Sequence, residues 1–271
     1  MNKLNTQQIR AIVFDADDTL WDCQSHFEEV ENMLYNIIGP YCMDPKRELF
    51  ETESRNMEDL GYGCKAFTIS VMETALRVCG NDLSATQLSE LLEAGKHLLQ
   101  LPATPLPGVE ETLQRLSVAC RTERVEFASA TEQGQTMANG KAAANSTRYT
   151  LNSTLKLVCF TKGELQDQEN KLRRSGLGRF FDHVEITSDK TEHEYLQLCR
   201  HLGIEPHELL MVGNSLKSDM APAVAIGAQA VHIPFHVTWQ LEVHEDFDHP
   251  RMVKIDNISQ LLPLLGLHYR R

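Results

Sequence analysis

No apolar run in this chain approaches the roughly 18 residues that a membrane-spanning helix needs, so no membrane partner is expected. Positive charge is scarce. Lys and Arg number 26 against 38 Asp and Glu, a formal net charge of −12. That balance supplies no basic footprint for a phosphate backbone and excludes nucleic acid as the partner. Cysteine pairs are missing too. The seven cysteines, at 23, 42, 64, 79, 120, 159 and 199, are scattered and odd in number, and none forms Cys-x-x-Cys. A disulfide framework is not expected, and the thiols read as reduced and mostly buried. The opening "MNKLNTQQIR" has no apolar core of the secretory kind, which points to a cytoplasmic protein. What is present is an ordinary globular balance, 42% hydrophobic and 24% charged, in 271 residues. That length suits one large domain or two modest ones.

Short apolar runs recur: "AIVF" at 11–14, "LKLVCF" at 155–160, "VEI" at 184–186, "LLMV" at 209–212 and "AVHI" at 230–233. They read as buried strands. Helical patterns separate the later ones, namely "GELQDQENKLRRSG", "TEHEYLQLCRHLG" and "SDMAPAVAIG", each closing on a glycine suited to a helix C-terminus. The alternation predicts an α/β protein with a Rossmann-like, mostly parallel sheet covered on both faces, and a ligand site at the carboxyl ends of the strands. The first two strands are far apart. Between them "SHFEEVENMLYNII", "AFTISVMETALRVC" and "SATQLSELLEAGKHLLQ" have amphipathic helical spacing, with Ser84 placed to cap the last. The expected organisation is therefore a core segment over 1–20, an all-helical domain over 21–105 ended by Pro102, Pro105 and Pro107, and a return to the core over 106–271. Within that return, about 118–154 is unusual. Residues 123–154 are rich in Ala, Thr, Ser, Asn, Gln and Gly, and "RVEFASAT" and "TRYTLNST" could pair as a polar hairpin around a loop. The sequons at Asn145 and Asn152 read as chance matches in a chain without a secretory signal.

The stretch "IVFDADDTL" crowds Asp15, Asp17 and Asp18 directly after a buried strand. Like charges this close raise the cost of ionising one another, so a positive group is expected among them. Residues i and i+2 of an extended chain point to the same side, which gives Asp15 and Asp17 as a pair for a hard divalent cation such as Mg²⁺. The match of "DADD" to the acid motif of some terpene cyclases is set aside, because those chains are all-helical and this motif follows a strand. The other strand ends add a hydroxyl at Thr161 beside Lys162, an ammonium at Lys190, and the group Gly213, Asn214, Ser215, Ser218 and Asp219. Each alone is bland: a turn residue, or a solvated charge. Four consecutive strand ends together would make a site for Mg²⁺ and a phosphoryl group. The histidines at 232, 236, 244 and 249 lack the spacing of a zinc helix and read as solvated surface residues.

In order and spacing, these residues resemble the four motifs of the haloacid dehalogenase-like superfamily, mostly phosphatases. "FDADDTLWD" resembles the first motif, Thr161 the second, Lys190 the third and "GNSLKSD" the fourth, with the likeness covering about 9–20 and 106–265. The resemblance implies that 21–105 is a helical cap inserted after the first core strand. It implies Asp15 as nucleophile, Asp17 as general acid and base, and Thr161, Lys162 and Lys190 on the phosphoryl oxygens. The Mg²⁺ would sit among Asp15, the Asp17 carbonyl, Asn214 and Asp219, with Thr19 supporting the loop. Asn214 departs from the family, which has Asp there, and so removes a charge from the metal site. Asp17 favours phosphoester hydrolysis over dehalogenation, while phosphonate hydrolysis would need a cap lysine, for which Lys65 is a weak candidate. The tight loop "LGYGCKAF" at 60–67 makes Tyr62, Lys65 and Arg55 candidates for substrate selection. The expected activity is Mg²⁺-dependent hydrolysis of a small phosphorylated metabolite through an aspartyl phosphate. A non-catalytic or protein-binding member using the 118–154 arm is the alternative.

Overall fold

A computed structural model describes residues 4–132 and 155–267. Six parallel strands form one sheet in the order β3-β2-β1-β4-β5-β6, with β1 at Ala11–Phe14, β2 at Lys156–Lys162, β3 at His183–Thr187, β4 at Leu209–Gly213, β5 at Gln229–His232 and β6 at Met252–Lys254. This is the α/β, Rossmann-like class that the alternation predicts. The short β6 at the sheet edge was not foreseen: "MVK" has one apolar residue fully inside and no run to mark it.

The helices are α1 (Gln24–Ile38), α2 (Pro45–Leu60), α3 (Cys64–Cys79), α4 (Ala85–Leu98), α5 (Val109–Glu132), α6 (Leu165–Ser175), α7 (Glu192–Leu202), α8 (Ala221–Ala225) and α9 (Leu261–Leu264). Strand periodicity sorts the core into two layers. Ile12, Phe14, Leu157, Cys159, Leu210 and Val212 face α5 and α9, packing on Leu113, Leu116 and Leu261. Their neighbours Ala11, Val13, Val158, Phe160, Leu209 and Met211 face α7 and α8, packing on Tyr195, Leu198 and Ala223. Burial of each Val, Leu, Ile, Phe or Met side chain among them contributes about 1.5–3 kcal/mol. With the inner strands covered on both faces, their ends are what they leave open to a ligand.

Helices α1–α4 surround a third apolar cluster of their own, with Leu34, Ile38, Leu49, Val71 and Leu91 at its centre. Helix α4 opens on a capping box in which the Ser84 hydroxyl and the Gln87 side chain satisfy each other's backbone N–H groups. Helix α2 had no counterpart among the predicted helices, because its sequence "PKRELFETESRNMEDL" is too polar to show an apolar stripe. It still closes on the cluster through Leu49 and is capped by Asp44, which accepts from Arg47 N–H. The hairpin expected from "RVEFASAT" does not form, since 124–131 lie within α5. Its partner "TRYTLNST" lies outside the described residues.

Candidate active site

Strand β1 lies between β2 and β4, and its carboxyl end delivers Asp15, whose N–H donates to Val212 O at 2.9 Å. The chain then turns sharply. Leu20 N–H donates to Ala16 O at 2.8 Å and Asp18 N–H to Trp21 O at 2.7 Å, with Asp18 itself at φ +63°. Asp18 is spent on this turn. Its Oδ1 accepts from the backbone N–H groups of Cys23 and Gln24, at 2.8 and 2.9 Å, and so satisfies two donors at the start of α1. The third acid of the opening cluster is a cap, which leaves Asp15 and Asp17 for chemistry.

The positive groups that the acid cluster demanded are two buried lysines. Lys190, in the loop after β3, donates to Asp15 Oδ1 at 2.5 Å and to Asp219 Oδ1 at 2.7 Å. Thr19 Oγ1 donates to the other Asp15 oxygen at 3.1 Å and lies 3.2 Å from Asn214 Oδ1. Burial, then the nearby Asp219 charge, pushes the Asp15 carboxyl up to about 7 despite Lys190. Lys190 goes the other way: burial works against its charge, but Asp15 and Asp219 hold it well above the ordinary lysine range.

The second lysine is Lys171, on α6, which sequence reasoning missed. Its ammonium donates to both Asp17 oxygens, at 3.0 and 2.8 Å, and lies 3.3 Å from Asp167 Oδ2. Gln168 Nε2 and Trp21 Nε1 complete the Asp17 shell at 2.8 and 2.7 Å. Burial alone would raise the Asp17 carboxyl; the Lys171 charge and these hydrogen bonds overcome it and hold Asp17 below the usual carboxylate range. In the sequence, Asp167, Gln168 and Lys171 share one face of a polar helix, which is indistinguishable from a solvated face. All three are buried.

At the end of β4 the chain passes Gly213, Asn214 and Ser215 into a wide π-type turn at Leu216–Met220. Asp219 packs back against the strand end, where its Oδ2 accepts Ser215 N–H at 3.0 Å. A Cβ at Gly213 would collide with the Asp219 carboxylate, so the glycine admits the acid. His232 is buried, contrary to the surface reading, and its Nε2 lies 3.0 Å from the Asn214 carbonyl oxygen. It steadies the same turn.

These strand ends open on a cavity of about 370 Å³, walled on its far side by α1, α2 and α3. Thr161 and Lys162, at the end of β2, lie in its wall, as do Asn214 and Tyr62. Lys162 donates to Ser218 Oγ at 2.8 Å and pairs with Glu242 at 2.5 Å, while its ammonium stands 3.9 Å from the Tyr62 ring centre. Glu242 also accepts from the hydroxyls of Ser215 and Ser218. Nothing in the sequence marks Glu242, which arrives from a loop 80 residues beyond Lys162. Arg55 and Lys65 are not brought to the cavity. Arg55 turns to Glu73 at 3.5 Å and Lys65 to Glu164 at 2.5 Å, both at solvent-exposed positions, because carboxylates on neighbouring elements offer partners that need no desolvation.

The donor set fits a hard divalent cation that keeps water in its shell. Among the described residues, no group of three or more His, Cys, Asp or Glu side chains would hold a metal unaided. What stands here is Asp15, Asn214, Asp219 and backbone carbonyls, all oxygen donors. Asp15, Asp17, Asp167 and Asp219 pair with two ammoniums, Lys190 and Lys171. When all are ionised, four negative charges meet two positive ones, and a divalent cation would balance the remaining two. The raised Asp15 carboxyl expresses the same shortage of positive charge.

No family model matches the chain. It is 30% identical over 116 residues to the glyceraldehyde 3-phosphate phosphatase of Methanothermobacter thermautotrophicus, a match covering 41% of this chain and 51% of that one, so the chain spans about half the length of this relative. Across nearly its full length it superposes on a haloacid dehalogenase-like family hydrolase from Xanthomonas campestris, with a TM-score of 0.74, 25% identity, and coverage of 97% of this chain and 95% of the other. A HAD-hydrolase from Bacillus subtilis bound to magnesium shares the fold with a TM-score of 0.59 at 14% identity, covering 95% and 99% of the two chains. With the four motifs on adjacent strand ends of this sheet, the chain belongs to the haloacid dehalogenase-like superfamily.

Proposed function

We propose that the protein is a Mg²⁺-dependent phosphatase that hydrolyses a small phosphorylated metabolite in the cytoplasm through an aspartyl phosphate. The observation that carries this reading is the pair Asp15 and Asp17 at the mouth of the central strand, each gripped by its own buried lysine and both facing one cavity. The phosphatase relative and the magnesium-bound structural neighbour support it.

In this mechanism a carboxylate oxygen of Asp15 attacks phosphorus, and the bond from phosphorus to the ester oxygen breaks. Lys190 holds Asp15 in place and, with Thr161 and Lys162, offers positive charge and donors to the phosphoryl oxygens. The leaving oxygen takes a proton from Asp17. Water, deprotonated by Asp17, then attacks the aspartyl phosphate and releases inorganic phosphate. Lys171 keeps Asp17 ionised, which suits the base half of this cycle. For the acid half Asp17 must carry a proton, so its contact with Lys171 must loosen first. Asp15, the Asp17 carbonyl, Asn214 and Asp219 would hold the Mg²⁺, which supplies charge to offset the anionic phosphoryl group. Helices α1–α4 act as the cap that screens the site from water.

A panel of phosphate monoesters assayed with Mg²⁺ tests the reading, with Asp15→Asn as the control. An amide cannot form the aspartyl phosphate, so the variant should fold as the wild type does and lose turnover. Turnover near wild type in an Asp15→Asn preparation would sink the mechanism.

A further inference from the structure

The far wall of the cavity holds a carboxylate with no counter-charge. Glu53, on α2, is 6% exposed, and its Oε1 is buried without a hydrogen-bond partner among the described residues. Its Oε2 accepts a single long bond, from Trp239 Nε1 at 3.3 Å. The cations of α1–α4 that form ion pairs do so elsewhere: Arg47 with Glu51, Arg55 with Glu73, Lys65 with Glu164, Arg77 with Glu48 and Lys96 with Glu93; Lys46 acts on Glu31. Of the residues that 21–105 contributes to the cavity wall, Glu53 alone is charged. Around it the wall is aromatic. Phe27 meets Phe67 at a tilt of 56° with ring centres 4.8 Å apart, and Tyr62 meets Trp239 edge-on at 5.7 Å.

A buried carboxylate left unpaired is costly, and a fold that keeps one beside a binding cavity needs a reason. Aromatic faces carry negative charge density and attract cations. A carboxylate against the Trp239 ring, in a wall that also carries Phe27 and Phe67, therefore suits an ammonium better than a neutral or anionic group. At the other end of the same cavity Lys190, Lys162 and Thr161 suit a phosphate. We propose that Glu53 is the specificity-determining residue of this site, and that the substrate is a phosphate monoester whose leaving alcohol carries a protonated amine. The phosphate sits at the strand ends and the ammonium against Glu53 and its aromatic neighbours. Leaving groups with a carboxylate are rejected by the same charge. Burial pushes the empty Glu53 carboxyl up to about 7, and an arriving ammonium would favour its ionised form.

This inference rests on the phosphatase reading, and the test separates the two. The probes are ω-aminoalkyl phosphates of two to four carbons, each set against the n-alkyl phosphate with the same number of heavy atoms and an ω-carboxyalkyl phosphate. p-Nitrophenyl phosphate reports phosphatase activity as such. A charge-assisted hydrogen bond is worth about 1.5–3 kcal/mol, so the wild type should prefer the amine over its neutral match by about tenfold or more in kcat/KM at the best chain length. Glu53→Gln, which keeps the shape and removes the charge, should bring that preference below about threefold. Calorimetric binding of the same pairs to Asp15→Asn, which does not turn over, should show the same ranking. No amine preference at any length, or a preference that survives in Glu53→Gln, overturns the assignment of Glu53 even if p-nitrophenyl phosphate is hydrolysed. If no ester is hydrolysed but Asp15→Asn still binds the amine selectively, the phosphatase reading fails and the role of Glu53 stands.

Discussion

Lys171→Met removes one ammonium and leaves two carboxylates behind. In the folded protein Lys171 is 2% exposed and bridges Asp17, whose side chain is 26% exposed, to the buried Asp167. Methionine fills a similar volume, so the loss is electrostatic rather than a cavity. Removing one member of a buried ion pair costs about 3–5 kcal/mol, because the remaining charge is left uncompensated. The pH dependence follows from the direction of the Asp17 shift. In the wild type Asp17 is held below its unfolded value, so its pairing contributes stability above that value, which is lost as pH falls through the folded one. In the variant burial is opposed only by the Gln168 and Trp21 hydrogen bonds, and the folded value rises. The ionised group is then a liability at neutral pH and is relieved by protonation as pH falls. Urea unfolding of both proteins, without divalent cation, at about pH 8 and about pH 5 measures this. The variant should lose about 3–5 kcal/mol at the higher pH and distinctly less at the lower one. The double variant Lys171→Met/Asp17→Asn should regain part of the loss. A deficit under about 1 kcal/mol, or one equal at both pH values, would refute the ion-pair account.

Two further outcomes concern the fourth strand end. Asp219→Asn should raise the Mg²⁺ concentration for half-maximal activity several-fold and Asn214→Asp should lower it, since a unit charge about 4 Å from a divalent cation is attracted by about 8 kcal/mol at an effective dielectric of about 20, twice the value for two unit charges; an unchanged titration for either variant would misplace the metal. Gly213→Ala should cost about 1–3 kcal/mol of stability by overpacking and weaken Mg²⁺ activation in the same assay, because the new methyl displaces the Asp219 carboxylate; wild-type activation would show that Asp219 tolerates the shift.

The sheet was legible because its four inner strands, β2, β1, β4 and β5, are buried on both faces and read as apolar runs; β6, with one inward residue, gave no such run. Asp15, Asp17, Thr161, Lys190 and Asp219 were legible because strand ends of a parallel sheet converge, so residues far apart in sequence share one place in the fold. Lys171 and Glu53 were not. Each sits on a polar helix face whose burial is decided by a partner element, α6 by the Asp17 loop and α2 by the Trp239 loop. Periodicity describes one helix and carries no information about what packs on it. Arg55 and Lys65 failed for the converse reason. Their helices, α2 and α3, do border the cavity, but a long side chain can swing to any carboxylate within reach, and Glu73 and Glu164 are within reach.

The opening cluster posed the question of how a chain ends a buried strand on three acids. Each acid is answered separately. Asp18 is answered in part by helix geometry, through two backbone N–H groups at the start of α1, while burial still pushes its carboxyl up to about 7. Asp15 and Asp17 are each answered by an ammonium that also serves a second carboxylate, Asp219 for Lys190 and Asp167 for Lys171. Sharing one cation between two acids holds the carboxylates close without cancelling them. A full complement of lysines would stabilise the fold more and leave no attraction for a divalent cation; none at all would leave the strand end unable to stay ionised. The half-compensated state therefore suits both folding and the proposed metal binding, and under the proposed mechanism the two lysines would do different work, Lys190 at the reacting carboxylate and Lys171 behind the one that handles the proton.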